Sequence, residues 1–122
     1  MANAVLQGAC LDEADMSGAQ LDAAVLTGAD LRKANLRGAG LRHARLDAAD
    51  LRLGGAFLVE ASLRGADLRG AYLRLAKLDS ADLSDANLNG AEGLTQGQLD
   101  RAHLNNGTKL PAGLRGVEDA KR

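Results

Sequence analysis

The residues best suited to chemistry are seven arginines, Arg32, Arg37, Arg42, Arg52, Arg64, Arg69 and Arg74. In three places an aspartate stands two positions earlier, as Asp30, Asp50 and Asp67. A guanidinium is always charged and offers a planar fork of donors, so a cluster of them could grip a phosphate or a carboxylate. The competing reading is a solvated face on which each arginine is neutralised by its neighbour, an exposed pairing that contributes little. Other chemistry has less support. His43 and His103 are far apart and have no Cys/His ligand spacing, so no zinc site is expected. Nor does any serine stand with a histidine and an aspartate in a nucleophile arrangement. The phrase Leu68-Arg69-Gly70 and its surroundings hold spaced glycines without the Lys-Ser/Thr of a phosphate loop. Asp15, Asp30, Asp50, Asp67 and Asp82 suit hydrogen bonding to turn backbone better than a catalytic pair. No catalytic residue, cofactor or metal is therefore expected.

A repeat of five must position these side chains. From Ala4 to Leu53 there are ten units of five, then the extra pair Gly54-Gly55, then seven units from Ala56 to Gly90. Alanine opens all 17 units, and the third position is leucine in 16 and Met16 in the other. On an α-helix a step of five rotates successive leucines by roughly 140°, scattering them around the axis. On a flat strand an odd step sends alternate leucines to opposite faces. The chain must therefore change direction once per unit. Alanine and leucine, two apart, share the inner side of a short extended edge, and the last two residues make the corner. Glycine at the last position, as in Gly8, Gly18, Gly28, Gly38, Gly65, Gly70 and Gly90, supplies the positive φ of a type II turn. Units ending in Glu13, Leu53, Glu60 or Leu75 are expected to use a different turn.

These units resemble the pentapeptide-repeat family, whose pattern is A-(D/N)-L-x-x, over Ala4 to Gly90. The resemblance implies an all-β fold, a right-handed quadrilateral parallel β-helix with four units per coil and about four coils. It also implies a C-terminal end that covers the last coil and, in some relatives, makes a dimer. Some relatives mimic DNA and bind DNA gyrase, giving resistance to quinolones or topoisomerase toxins. Such mimicry calls for a continuous acidic surface and a longer rod.

With four units per coil, and Gly54-Gly55 bulging outward, Arg32, Arg52 and Arg74 are expected to stack on one face. Residues 1–28 hold four acids and no bases, residues 29–75 nine bases and five acids, and the whole chain has a formal charge of -1. That balance, with aromatics at 2%, argues against nucleic acid, because no rings are interleaved to stack bases. Leu53, Phe57, Val59, Tyr72 and Leu75 fall at outward positions near the phase break, a candidate partner surface or a loop folded on itself. The expected division is a repeat β-helix over 1–90 and a cap with tail over 91–122. Thr95 and Gln98 form a capping box for a helix at about 96–104, which Asn106-Gly107 closes. The tail from Val117 is expected to be disordered. The first coil, almost without a cap, is expected to fray or to stack on a second copy.

The sequence therefore reads as a non-enzymatic interaction module with an unidentified protein partner. A homodimer through an exposed coil end or the C-terminal cap is a further expectation. Gyrase binding and an anion-binding arginine face are the alternatives. The single cysteine, Cys10, excludes an internal disulfide, and the start of the chain shows neither a basic leader nor an apolar run. A cytoplasmic setting without membrane association is the matching expectation.

Overall fold

The computed structural model describes residues 3–52 and 56–116. Each repeat unit contributes one bridging residue, its second, and the bridges are parallel and form four columns. The first runs Val5, Val25, Arg45, Asp67, Asn87, Lys109, and the second Cys10, Asp30, Asp50, Tyr72, Glu92. The third runs Asp15, Asn35, Phe57, Lys77, and the fourth Gln20, Gly40, Ser62, Asp82, His103. Four units therefore make one coil, and the columns are its four faces.

Two kinds of backbone bond join the coils along each edge. The second residue donates to the first residue of the preceding coil's unit, as Val25 does to Ala4, and accepts from that unit's leucine, as from Leu6. Where Gly54-Gly55 intervenes, the pairing partner simply moves two residues on, as in Asn35 with Phe57 and Asp50 with Tyr72. Leu51 and Ala56 remain bonded at 3.1 Å, so the ladder resumes in register. Leu53 and the two glycines lie outside the described residues, as does the tail from Val117, and so do the expectations placed on them.

The corners correct one expectation. Glu13, Glu60 and Leu75 have φ of 62°, 60° and 65°, close to the 67° of Gly8 and Gly70. The following alanine closes the turn on the preceding leucine, at 3.0 Å for Ala9 to Leu6 and again for Ala61 to Leu58. Glycine-ended and other units thus share the i to i+3 bond and the positive φ of a type II turn. The reason is the stack. The corner N–H itself bonds to the next coil at most units, Gly8 to Thr27, Glu13 to Arg32 and Glu60 to Asp79, whatever side chain the corner carries. The Leu75 corner is held by its turn bond and by the ladder bonds of Leu73 and Lys77 on either side. A non-glycine residue pays about 1–2 kcal/mol for that left-handed conformation.

Inside, the third-position leucines from Leu21 to Leu88 and the unit-opening alanines from Ala24 to Ala86 are buried to 2% exposure or less. Leu6, Leu11 and Met16 of the first coil only pack half-buried against this core. At the other end lies the helix α1, Gln96–Asp100. Thr95 and Gln98 cap it reciprocally, and the Gln98 amide also donates to the carbonyls of Leu73 and Ala76, both at 2.9 Å. Leu99 is buried against the core.

The helix is shorter than the capping box suggested. Ala102 bonds back to Leu99, and His103 then donates to Ala81 and accepts from Leu83, so the chain rejoins the ladder. Asn106 and Gly107 consequently form a turn between two ladder residues, His103 and Lys109, and do not close the helix.

Candidate interaction surface

The second position of a unit carries most of the polar order of the surface. The fourth residue's N–H, which the ladder leaves over, is taken by an Asp or Asn oxygen two residues earlier. This occurs at Ser17, Arg32, Arg37, Arg52, Arg69, Ser84 and Asn89. Gly40 has no side chain to do so, and Asp22 of the neighbouring coil bonds the Arg42 N–H at 2.9 Å instead. The aspartates thus hold the corners.

Arg32, Arg52 and Arg74 stand on one face, as projected, but in different circumstances. Arg32 closes a two-point fork on Asp30, at 2.7 and 2.6 Å, and Arg52 does the same on Asp50, at 2.9 and 3.1 Å. These bonds hold the Asp30 and Asp50 carboxyls below the usual aspartate range and push the two guanidinium groups up. Arg69 repeats the arrangement with Asp67 on the adjacent face. Arg52 also lies 4.6 Å from the centre of the Tyr72 ring, so its flat face is occupied as well as its edge. Arg74 differs because Tyr72, not an aspartate, stands two residues before it. Its side chain makes no hydrogen bond or ion pair among the described residues.

Among the apolar residues, Phe57 is 44% exposed and Leu75 60%, whereas Val59 and Tyr72 are half-buried. Phe57 and Val59 lie on the face that follows the arginine face, and Leu75 sits at the corner between the two. The structure therefore brings Arg74, Leu75 and Phe57 around one corner, while Arg32 lies two coils away.

An open groove of about 390 Å³ runs from this corner to the cap. Arg74, Leu75, Lys77, Asp79 and Arg101 line it, with Gly93 and Gln98 from the cap side. Gly93, at φ 79°, brings its backbone so close to Arg74 that an added Cβ would stand 2.7 Å from the Arg74 Cβ. Lys77 and Arg101 were not singled out in the sequence. Lys77 was within reach, since it stands 20 residues after Phe57 in the same column. Arg101 was not, because the repeat has dissolved before it.

Known proteins place this architecture. The pentapeptide-repeat model matches residues 1–38, 14–52 and 53–92, with eight copies. The chain belongs to the pentapeptide-repeat family. Rfr23, a pentapeptide-repeat protein from the cyanobacterium Cyanothece 51142, is similar at 30% identity and a TM-score of 0.68. The match covers 80% of this chain and 64% of Rfr23, so the chain spans less than two thirds of that relative. The pentapeptide-repeat protein alr5209 from Nostoc Pcc 7120 is 32% identical at a TM-score of 0.58, covering 87% of this chain and 84% of its own. QnrB1, a plasmid-mediated fluoroquinolone resistance protein, aligns at 20% identity and a TM-score of 0.49, over 89% of this chain and 65% of QnrB1. No curated protein matches the chain. The family's right-handed β-helix agrees with the four parallel columns.

Proposed function

We propose that this pentapeptide-repeat protein is a non-enzymatic interaction solenoid in a reducing, cytoplasmic setting. On this reading it docks a partner protein at the corner formed by Phe57, Val59, Tyr72 and Leu75, with Leu53 beside it in sequence. The observation that carries the reading is Leu75. It sits at a left-handed corner that disfavours a branched side chain, and it is left 60% exposed. Such a residue contributes nothing to the core and adds strain, whereas glycine occupies the same position in seven other units. A surface that buries apolar side chains in a partner explains why leucine is there.

A photo-crosslinking amino acid placed at position 57 or 75, and at position 20 on another face, tests this in cells. Adducts with one and the same protein from 57 and 75, and none from 20, are expected. Equal adducts from all three positions would remove the corner from consideration.

Two other readings share the surface. Mimicry of DNA toward gyrase needs a run of free carboxylates, and Asp30, Asp50 and Asp67 are each already spent on an arginine. Protection of gyrase supercoiling from a quinolone by the purified protein would nonetheless establish it. Anion or nucleic-acid binding along Arg32, Arg52 and Arg74 meets the same obstacle at the first two, and retention on heparin tests it. Self-association through the first coil or the cap is separated by light scattering of Leu6→Glu and Leu110→Glu variants.

A further inference from the structure

We infer that the groove between the Leu75 corner and the cap is a docking site for a short acidic peptide segment of a partner protein. In such a segment an aliphatic side chain would be flanked by carboxylates. The inference rests on the interaction reading above and names the chemistry of what is bound. It begins from the difference between Arg74 and its neighbours. Arg32, Arg52 and Arg69 each have an aspartate two residues earlier and are neutralised by it. Arg74 has Tyr72 there and stays free of ion pairs among the described residues.

Two further cations without an ion pair among the described residues, Lys77 and Arg101, line the same groove, against one acid, Asp79. They come from separate parts of the chain. Lys77 belongs to the next edge of the coil, and Arg101 follows α1, its carbonyl held by the Ser80 N–H at 2.7 Å. The groove therefore exists only once the cap has docked.

The chemistry of the walls narrows the occupant. An excess of positive charge in a concave site attracts and orients a negative ligand. A phosphate would meet the same three cations but leave the exposed Leu75 without a partner. Leu75, exposed at the rim, instead provides contact for an apolar side chain. An extended peptide can present both features at once, carboxylates to the three cations and an aliphatic residue to Leu75. The volume of about 390 Å³ suits a few residues and not a folded domain.

The test uses the full chain and a fluorescein-labelled Glu-Asp-Leu-Glu-Asp peptide, followed by fluorescence anisotropy at low ionic strength. Saturable binding that weakens as salt is added is expected. Arg74→Glu, Lys77→Glu and Arg101→Glu should each weaken it by about five- to ten-fold, and Lys109→Glu, on another face, should not. If a charge reversal disturbs the coil by circular dichroism, Lys77→Met, which keeps the aliphatic stem, serves in its place. Absence of binding, equal loss with Lys109→Glu, or equal affinity for a Lys-Lys-Leu-Lys-Lys peptide would overturn the inference. Displacement by inorganic phosphate at equal concentration would overturn it too, showing a plain anion site. Crosslinking from positions 57 and 75 that survives Arg74→Glu would leave the interaction reading standing while the groove fails.

Discussion

The first and last coils carry the same repeat and differ in what covers them. Leu6, Leu26, Leu46, Leu68 and Leu88 occupy the same position on one face in successive coils. Leu26 to Leu88 are buried to 1% or less, whereas Leu6 is only half-buried. Above Leu88 the chain continues to Lys109, whose carbonyl takes the Leu88 N–H at 2.7 Å, and Leu99 seals the end. Below Leu6 no described residue packs. The amides of Val5, Cys10, Asp15 and Gln20 correspondingly lack the partner that those of Asp82 and Asn87 find in Ala61 and Ala66. Burial in a solenoid is thus a property of place in the stack and not of the repeat unit. Each unit is stabilised mainly by its neighbours above and below.

The largest effect that would sharpen this contrast comes from the core. Leu36→Ala in the middle of the stack should cost about 3 kcal/mol, and Leu6→Ala only about 1 kcal/mol, in urea unfolding. Equal costs would mean that the first coil is as well covered as the others. Next is the cap. Gln98→Ala strands the carbonyls of Leu73 and Ala76 and should cost about 2 kcal/mol, read as a lower unfolding midpoint. Hydrogen exchange should then accelerate near Leu83 and Leu88 and stay unchanged near Leu26. Gly93→Ala should also loosen the cap, because its Cβ would press on the Arg74 backbone and the residue sits at φ 79°. That effect is of order 1–3 kcal/mol.

Smaller effects test the corners. Glu60→Gly or Leu75→Gly relieves a left-handed side chain but adds chain entropy to the unfolded state, leaving a gain of about 0.5 kcal/mol. A loss of stability instead would show that those side chains make contacts worth more than the strain. The smallest effect is on pH. The arginine forks lower the Asp50 and Asp67 pKa values in the folded chain, so they stabilise it above the unfolded aspartate pKa of about 3.9. That contribution is lost as pH falls through the lowered values. Asp50→Asn keeps the acceptor for the Arg52 N–H, as Asn35 does for Arg37, and removes the charge. Its acid unfolding curve should be shallower below about pH 4 than that of the unaltered chain.

The core was legible in the sequence because alanine opens every unit of five and leucine, replaced once by Met16, stands two positions later. A period of five fits neither helix nor strand, so a coil with corners was the remaining solution. Stacking of Arg32, Arg52 and Arg74 followed from the four units per coil that the family resemblance implies, with Gly54-Gly55 lengthening the second step from 20 to 22 residues. The uniform corners were not legible, since the expectation for Glu13, Glu60 and Leu75 rested on the residue's own preference. Bonds between coils, from the corner N–H itself at Glu13 and Glu60 and from the flanking Leu73 and Lys77 at the Leu75 corner, outweigh that preference. The state of the arginines was half legible. Asp two residues earlier predicts the forks at Arg32, Arg52 and Arg69, and Tyr72 predicts their absence at Arg74.

What the sequence alone determined is therefore the repeating part, where every residue's surroundings are copies of its own unit. The tertiary structure decided the rest, at the places where that translation symmetry ends. The chain from Gln96 to Lys109 has no repeat, yet His103 and Lys109 continue two of the columns at spacings of 21 and 22 residues. Arg101 reaches the groove with Arg74 and Lys77 only because α1 is docked by Leu99 and Gln98. A pattern of identical units fixes the contacts between units, but the contacts of a unique segment depend on where it lands.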